Sequence, residues 1–110
     1  MATVVILNTN QMGHGDAELG RKILGTCLRK LVSIPDLAAI ALYNSGVHLA
    51  TKDSPVAIEL GQLQERGVDI LACGTCVDYY GLQGRLLVER TSNMDEILAR
   101  LRDADKLITL

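Results

Sequence analysis

Apolar residues in this chain fall into two patterns, short unbroken runs and longer stretches with helical spacing. Val4-Val5-Ile6-Leu7, Leu37 to Tyr43, Val68 to Ala72, Leu86-Leu87-Val88 and Lys106 to Thr109 are the short runs. A brief apolar run bounded by turn residues is the pattern of a strand buried on both faces. After the first run, Leu19, Ile23, Leu24, Cys27, Leu28, Leu31 and Val32 recur at helical spacing behind Asp16, which can cap the helix, and Arg21, Lys22, Arg29 and Lys30 fall mostly off that stripe. Cys27 on the stripe is expected to be a small buried hydrophobe. Pro35 ends this helix, and Asn44-Ser45-Gly46 makes a turn after the second run. Ser54-Pro55 reads as an N-cap with proline at the first helical position; Val56, Leu60 and Leu63 face the core and Gly67 stops the helix. Asn93-Met94-Asp95-Glu96 resembles a capping box opening a last helix, with Ile97, Leu98 and Leu101 as its buried stripe.

Strands alternating with helices over residues 1–110, without a repeat or linker, predict one α/β domain: a mostly parallel sheet of about five strands with helices on both faces. In such sheets ligands bind outside the carboxyl ends of the strands, so the loops carrying His14, Asn44, Ser45, His48, Cys73 and Cys76 can share one edge.

The stretch from Val68 to Gly81 changes the picture most. Its strand runs into Cys73-Gly74-Thr75-Cys76 and then a short helix closed by Gly81. Thr75-Cys76-Val77-Asp78 fits a capping box, with Thr75 as N-cap and the Asp78 carboxylate reaching back. Cys73 then lies just outside a helix N-terminus, whose free amides and dipole favour a thiolate. On this reading Cys73, rather than Cys76, is the nucleophile.

Other chemistries are weaker. Gly13-His14-Gly15 suggests a phosphate cradle, but the third glycine of a dinucleotide fingerprint falls at Glu18, beside Asp16, so a turn with positive φ that lets two loops approach fits better. Cys73, Cys76, His14 and His48 are zinc-type ligands, yet a single Cys-x-x-Cys without a second pair is a poor metal signal, and no metal or other cofactor is expected. A dithiol oxidoreductase also places Cys-x-x-Cys at a strand-to-helix junction and stays open as an alternative.

Composition narrows the setting. The chain is 48% hydrophobic and only 3% aromatic, so its core is aliphatic. Lys+Arg 11 against Asp+Glu 13 leaves a net charge of -2 and no basic field for nucleic acid. No apolar run reaches the roughly 20 residues that span a bilayer, and Met1-Ala2-Thr3 lacks the basic flank of a signal peptide, so a cytoplasmic protein with no membrane partner is expected. The 3 cysteines, an odd number, argue against a disulfide framework. A mean hydropathy of +0.21 on so short a chain predicts a homo-oligomer.

The residues from Val68 to Leu82 resemble the DsrE/DsrF-like family, and most of all the C-terminal domain of YedF-type, sulfurtransferase-like selenium-metabolism proteins. The likeness extends to Met12-Gly13-His14-Gly15-Asp16, Glu18-Leu19-Gly20, Asn44-Ser45-Gly46-Val47, Ser54-Pro55, Gly67-Val68, Thr91-Ser92-Asn93-Met94 and Ala104-Asp105-Lys106. It implies a three-layer α/β/α sandwich that carries sulfur as a cysteine persulfide and assembles into trimers or hexamers. In sulfur-carrying relatives the active cysteine ends the third strand and lies eight residues before a glycine, as Cys73 does before Gly81. Gly74, Thr75 and Asp78 would position the helix start and Cys76 would release the sulfur by a disulfide with Cys73. YedF-type proteins carry an additional N-terminal domain with its own cysteine, so donor and acceptor proteins are expected in trans. Whether the chain is an enzyme, a sulfurtransferase or relay carrier, stays open beside a non-catalytic, partner-binding or regulatory subunit of the same fold.

Overall fold

The computed structural model describes residues 2–110. Its strands are β1 (Thr3–Leu7), β2 (Leu37–Leu42), β3 (Asp69–Ala72) and β4 (Lys106–Thr109), in the spatial order β3-β2-β1-β4. All three pairings are parallel, with Val5 opposite both Ile40 and Ile108, and Ile40 opposite Ile70. The helices are α1 (Ala17–Lys30), α2 (Ala57–Glu65), α3 (Gly74–Tyr79) and α4 (Met94–Asp103). Among the described residues no helix is long and apolar enough to cross a membrane.

The handedness of parallel crossovers sets the layers. The steps β1 to β2 and β2 to β3 run in the same direction, so right-handed connections place α1 and α2 on one face. Arg29 of α1 pairs with Glu59 of α2 at 3.1 Å across that face. The step from β3 back past β1 to β4 runs the other way and carries α4 to the opposite face. Connections therefore diverge between the carboxyl ends of β2 and β3, and an open sheet has its ligand crevice at such a switch point.

Val4, Val5, Leu7, Ile40 and Leu42 are fully buried beneath Leu24 and Leu28 of α1, Leu60 and Leu63 of α2, and Ile97 of α4. Asp16 caps α1, its carboxylate accepting the Leu19 amide at 2.8 Å, and Asn93 caps α4 by accepting the Glu96 amide at 2.8 Å. Both α2 and α3 end on glycines at positive φ, Gly67 and Gly81. Past each glycine the next amide returns to the helix, Val68 to the Leu63 carbonyl and Leu82 to the Val77 carbonyl, which satisfies carbonyls that would otherwise be orphaned.

Four sequence expectations change. The sheet has four strands, because Leu86-Leu87-Val88 does not join it. Leu86 bridges Thr51 in the loop after β2, and the Leu87 amide donates to the Ala50 carbonyl at 2.7 Å, so this run packs against the core, with Leu86 buried and Leu87 and Val88 half-buried, without a ladder. The stripe of α1 is narrower than its sequence suggests: Leu24, Leu28 and Leu31 are buried, whereas Leu19, Ile23 and Val32 are exposed and Cys27 is half-buried. Leu98 of α4 likewise faces outward, 61% exposed. Finally, Ser54-Pro55 does not open α2. The Ser54 hydroxyl donates to the Leu49 carbonyl and accepts the Val56 amide, forming a turn before the helix begins at Ala57.

Candidate functional site

Cys73 continues the line of β3. Its amide donates to the Leu42 carbonyl of β2 at 3.0 Å, and Ser92 pairs on the other side, its amide donating to the Ala72 carbonyl at 2.7 Å. The chain then turns at once into α3: the Cys73 carbonyl accepts the Val77 amide at 3.0 Å, which makes Cys73 itself the N-cap. The expected capping box is thus absent. Thr75 is already inside the helix and cannot adopt the extended conformation of a cap, and the Asp78 carboxylate accepts the Gln83 side-chain amide instead. The Gly74 amide is not free either, since it donates to the Ser92 carbonyl at 2.8 Å. A side chain at Gly74 would meet that same carbonyl oxygen at 3.0 Å and the Thr91 hydroxyl at 3.2 Å, so glycine lets the two segments close around Cys73.

Accessibility separates the two thiols. Cys73 is only 3% exposed, whereas Cys76 is half-buried and lines an open hollow of about 500 Å³ together with Tyr43, Asn44, Thr75, Tyr79, Tyr80 and Met94. An external molecule therefore meets the Cys76 sulfur first. That sulfur accepts the backbone amide of Asn44 at 3.1 Å, across the crevice between β2 and β3. Burial pushes the Cys76 thiol above its ordinary pKa; the Asn44 amide acts in the opposite direction, and the adjoining Cys73 sulfur adds to the rise.

Asn44 is the single non-glycine residue with positive φ among the described residues, at 52°. Its side-chain oxygen accepts the Tyr80 hydroxyl at 3.2 Å, and the Tyr80 ring lies 4.3 Å from His48 and 5.3 Å from Tyr79, centroid to centroid. Ser45 does not reach the cysteines. Its hydroxyl accepts the Asn10 amide at 3.2 Å and ties the loop after β1 to the loop after β2. The close approach of those loops is made at Gly46, not at the Gly13-His14-Gly15 turn expected from sequence. Gly13 has positive φ, but added side chains at Gly13 or Gly15 would meet nothing.

His14 is exposed on the β1–α1 loop and is not among the residues lining the hollow. His48 packs on Tyr80. Among the described residues no three His, Cys, Asp or Glu side chains gather as metal ligands. The structure thus brings together Cys73, Cys76, Gly74, Thr75 and Asn44, and it adds residues that sequence reasoning left out or treated as marginal. Tyr80 is tied to Asn44 through its hydroxyl. Met94 lines the hollow from the start of α4, and Ser92 holds the backbone on both sides of Cys73. Only Tyr80 carried a sequence signal, as an aromatic residue one turn beyond Cys76.

Comparison with solved structures finds this arrangement of strands and helices elsewhere. The crystal structure of the ychN protein from E. coli superposes with a TM-score of 0.71 at 21% identity, covering 100% of both chains. A protein of unknown function from Methanobacterium thermoautotrophicum, MTH1491, superposes with a TM-score of 0.70 at 22% identity, again over 100% of both chains. At such identities the likeness speaks for the fold alone. A search of curated proteins gives no match. The model of the DsrE/DsrF-like family matches residues 1–110. With the parallel sheet, the cysteine pair at its switch point and a family match over the whole length, the chain belongs to the DsrE/DsrF-like family.

Proposed function

We propose that this chain is a sulfur carrier that holds a sulfane sulfur as a persulfide on the Cys73 and Cys76 pair, with donor and acceptor as separate proteins. The observation that supports this reading is the position of the pair at the crevice between β2 and β3, with one thiol opening onto a hollow and bonded by a backbone amide. The accessible Cys76 thiolate attacks the outer sulfur of a donor persulfide. The donor's sulfur–sulfur bond breaks, the donor leaves as a thiolate, and Cys76 becomes the persulfide. Attack of the Cys73 thiolate on that outer sulfur moves it inward and frees Cys76. The reverse displacement, Cys76 thiolate attacking the outer sulfur on Cys73, returns it to the hollow, where an acceptor thiolate removes it and frees Cys76, so no net oxidant or reductant is consumed. Gly74, by its fit against Ser92, is assigned the role of holding Cys73.

Treatment of the reduced protein with a sulfane-sulfur donor, followed by intact mass, tests this reading. A gain of one sulfur is expected for the wild type, and Cys76→Ser should gain it more slowly, because its accessible nucleophile is gone. A wild-type chain that gains no sulfur would instead be a partner-binding or regulatory subunit. The same proposal includes a homo-oligomer, supported by the exposed Leu19, Ile23, Ile58, Met94, Leu98 and Leu107 side chains.

A further inference from the structure

We infer that the backbone amide of Asn44 is the group that holds the Cys76 sulfur as an anion, and that Tyr80 is a positioning residue that keeps this amide aimed. The inference rests on the sulfur-carrier reading only for the chemical form of the anion, a thiolate or a persulfide. Three observations carry it. First, the Asn44 amide lies 3.1 Å from the Cys76 sulfur. Second, Asn44 adopts φ 52°, so the chain turns sharply away just past this amide in a left-handed conformation that costs roughly 1–2 kcal/mol for an L-residue, although asparagine tolerates it better than most. Third, the strained residue is pinned from outside by the Tyr80 hydroxyl on its side-chain oxygen, and the Tyr80 ring is itself packed on His48.

A residue is held in a disfavoured conformation only where its surroundings impose it, and such residues gather at functional sites. Here the surroundings are the Tyr80 hydroxyl and the Gly46 turn, whose amide donates to the Tyr43 carbonyl at 3.1 Å. Burial disfavours charge on Cys76 and holds its thiol above the ordinary value, and the amide counters part of that rise, as a backbone N–H does for any anion it faces. The titratable groups near this sulfur are Cys73, Tyr43, Tyr79 and Tyr80, with His48 behind Tyr80; none of them is a carboxylate or a fixed cation. A backbone donor is therefore the means by which this hollow accepts negative charge on sulfur.

The test is the pH dependence of Cys76 alkylation, read on the Cys76 peptide by mass in a Cys73→Ser background, without any sulfur donor. Asn44→Val, whose branched side chain disfavours positive φ, should raise the midpoint by about one pH unit, equivalent to about tenfold less thiolate at neutral pH. Asn44→Gly keeps the amide and adopts positive φ without cost, so it should titrate below Asn44→Val. Tyr80→Phe removes only the hydroxyl and should raise the midpoint by a smaller amount. Midpoints that coincide in Asn44→Val, Asn44→Gly and the parent would overturn the inference, as would a Tyr80→Phe midpoint at or below that of the parent. Alkylation needs no persulfide chemistry, so this outcome is separate from whether the chain accepts sulfane sulfur.

Discussion

A side chain at position 46 would put its first carbon 2.1 Å from the Leu7 carbonyl oxygen, well inside contact distance. Gly46→Ala must push β1 away from the turn that follows β2, and overpacking of this kind costs about 3 kcal/mol. The expected outcome is a lower midpoint in urea denaturation, and loss of the Asn44 bond to Cys76 should accompany it. At this scale the cysteine pair was legible, because Cys-x-x-Cys after an apolar run is a strong local pattern. The difference in accessibility between the two thiols was not. Cys73 is paired through its flanking backbone with Ser92, in a segment 19 positions along the chain, and no local pattern encodes that. Asn44 was a candidate from its loop position, but how it reaches the sulfur was not legible: the contact is made by its backbone amide, and a side-chain type does not reveal which way a backbone amide faces.

Helix α4 begins with a cap that also serves the site. Asn93 accepts the Glu96 amide, and the Glu96 carboxylate accepts both the Ser92 hydroxyl and the Arg90 guanidinium. Asn93→Ala should cost about 1 kcal/mol, measured by thermal or urea unfolding. The Arg90 and Ser92 bonds hold the Glu96 carboxyl down to about 2. A carboxyl lowered on folding stabilises the native state fully above its unfolded value of about 4.3, and that contribution fades as pH falls through the folded value. Glu96→Gln should therefore melt below the wild type near neutral pH, with the gap closing between about pH 4 and pH 2. Equal melting temperatures at pH 7 would remove the electrostatic role. The caps at Asp16 and Asn93 and the stops at Gly67 and Gly81 were readable because each follows from one residue's chemistry. The run Leu86-Leu87-Val88 misled because a short apolar segment packed under a loop has the composition of a strand, and only hydrogen-bond partners distinguish the two.

Over the whole molecule the alternation of strands and helices specified a parallel sheet, but the order β3-β2-β1-β4 is set by long-range packing that the alternation does not encode. Exposed apolar side chains mark where the sequence over-counted the core, at Leu19, Ile23 and Val32 near α1 and at Leu98 of α4, which lies one turn from the exposed Met94. Sedimentation at micromolar concentration should give a species heavier than 11.9 kDa, and Leu98→Glu should shift it toward that mass. A monomer in the wild type would contradict the association. The divergence of connections after β2 and β3 has a further consequence for isotope exchange. The Cys73 and Gly74 amides donate to carbonyls on neighbouring segments, Leu42 and Ser92, so their protons should exchange with solvent deuterium only when the sheet edge opens. The Asn44 proton is held by a sulfur, and its protection should change with whatever that sulfur carries. Capping Cys76 with an alkyl group should speed exchange at Asn44 and leave Cys73 and Gly74 slow, making one backbone proton a readout of the chemical state of the thiol.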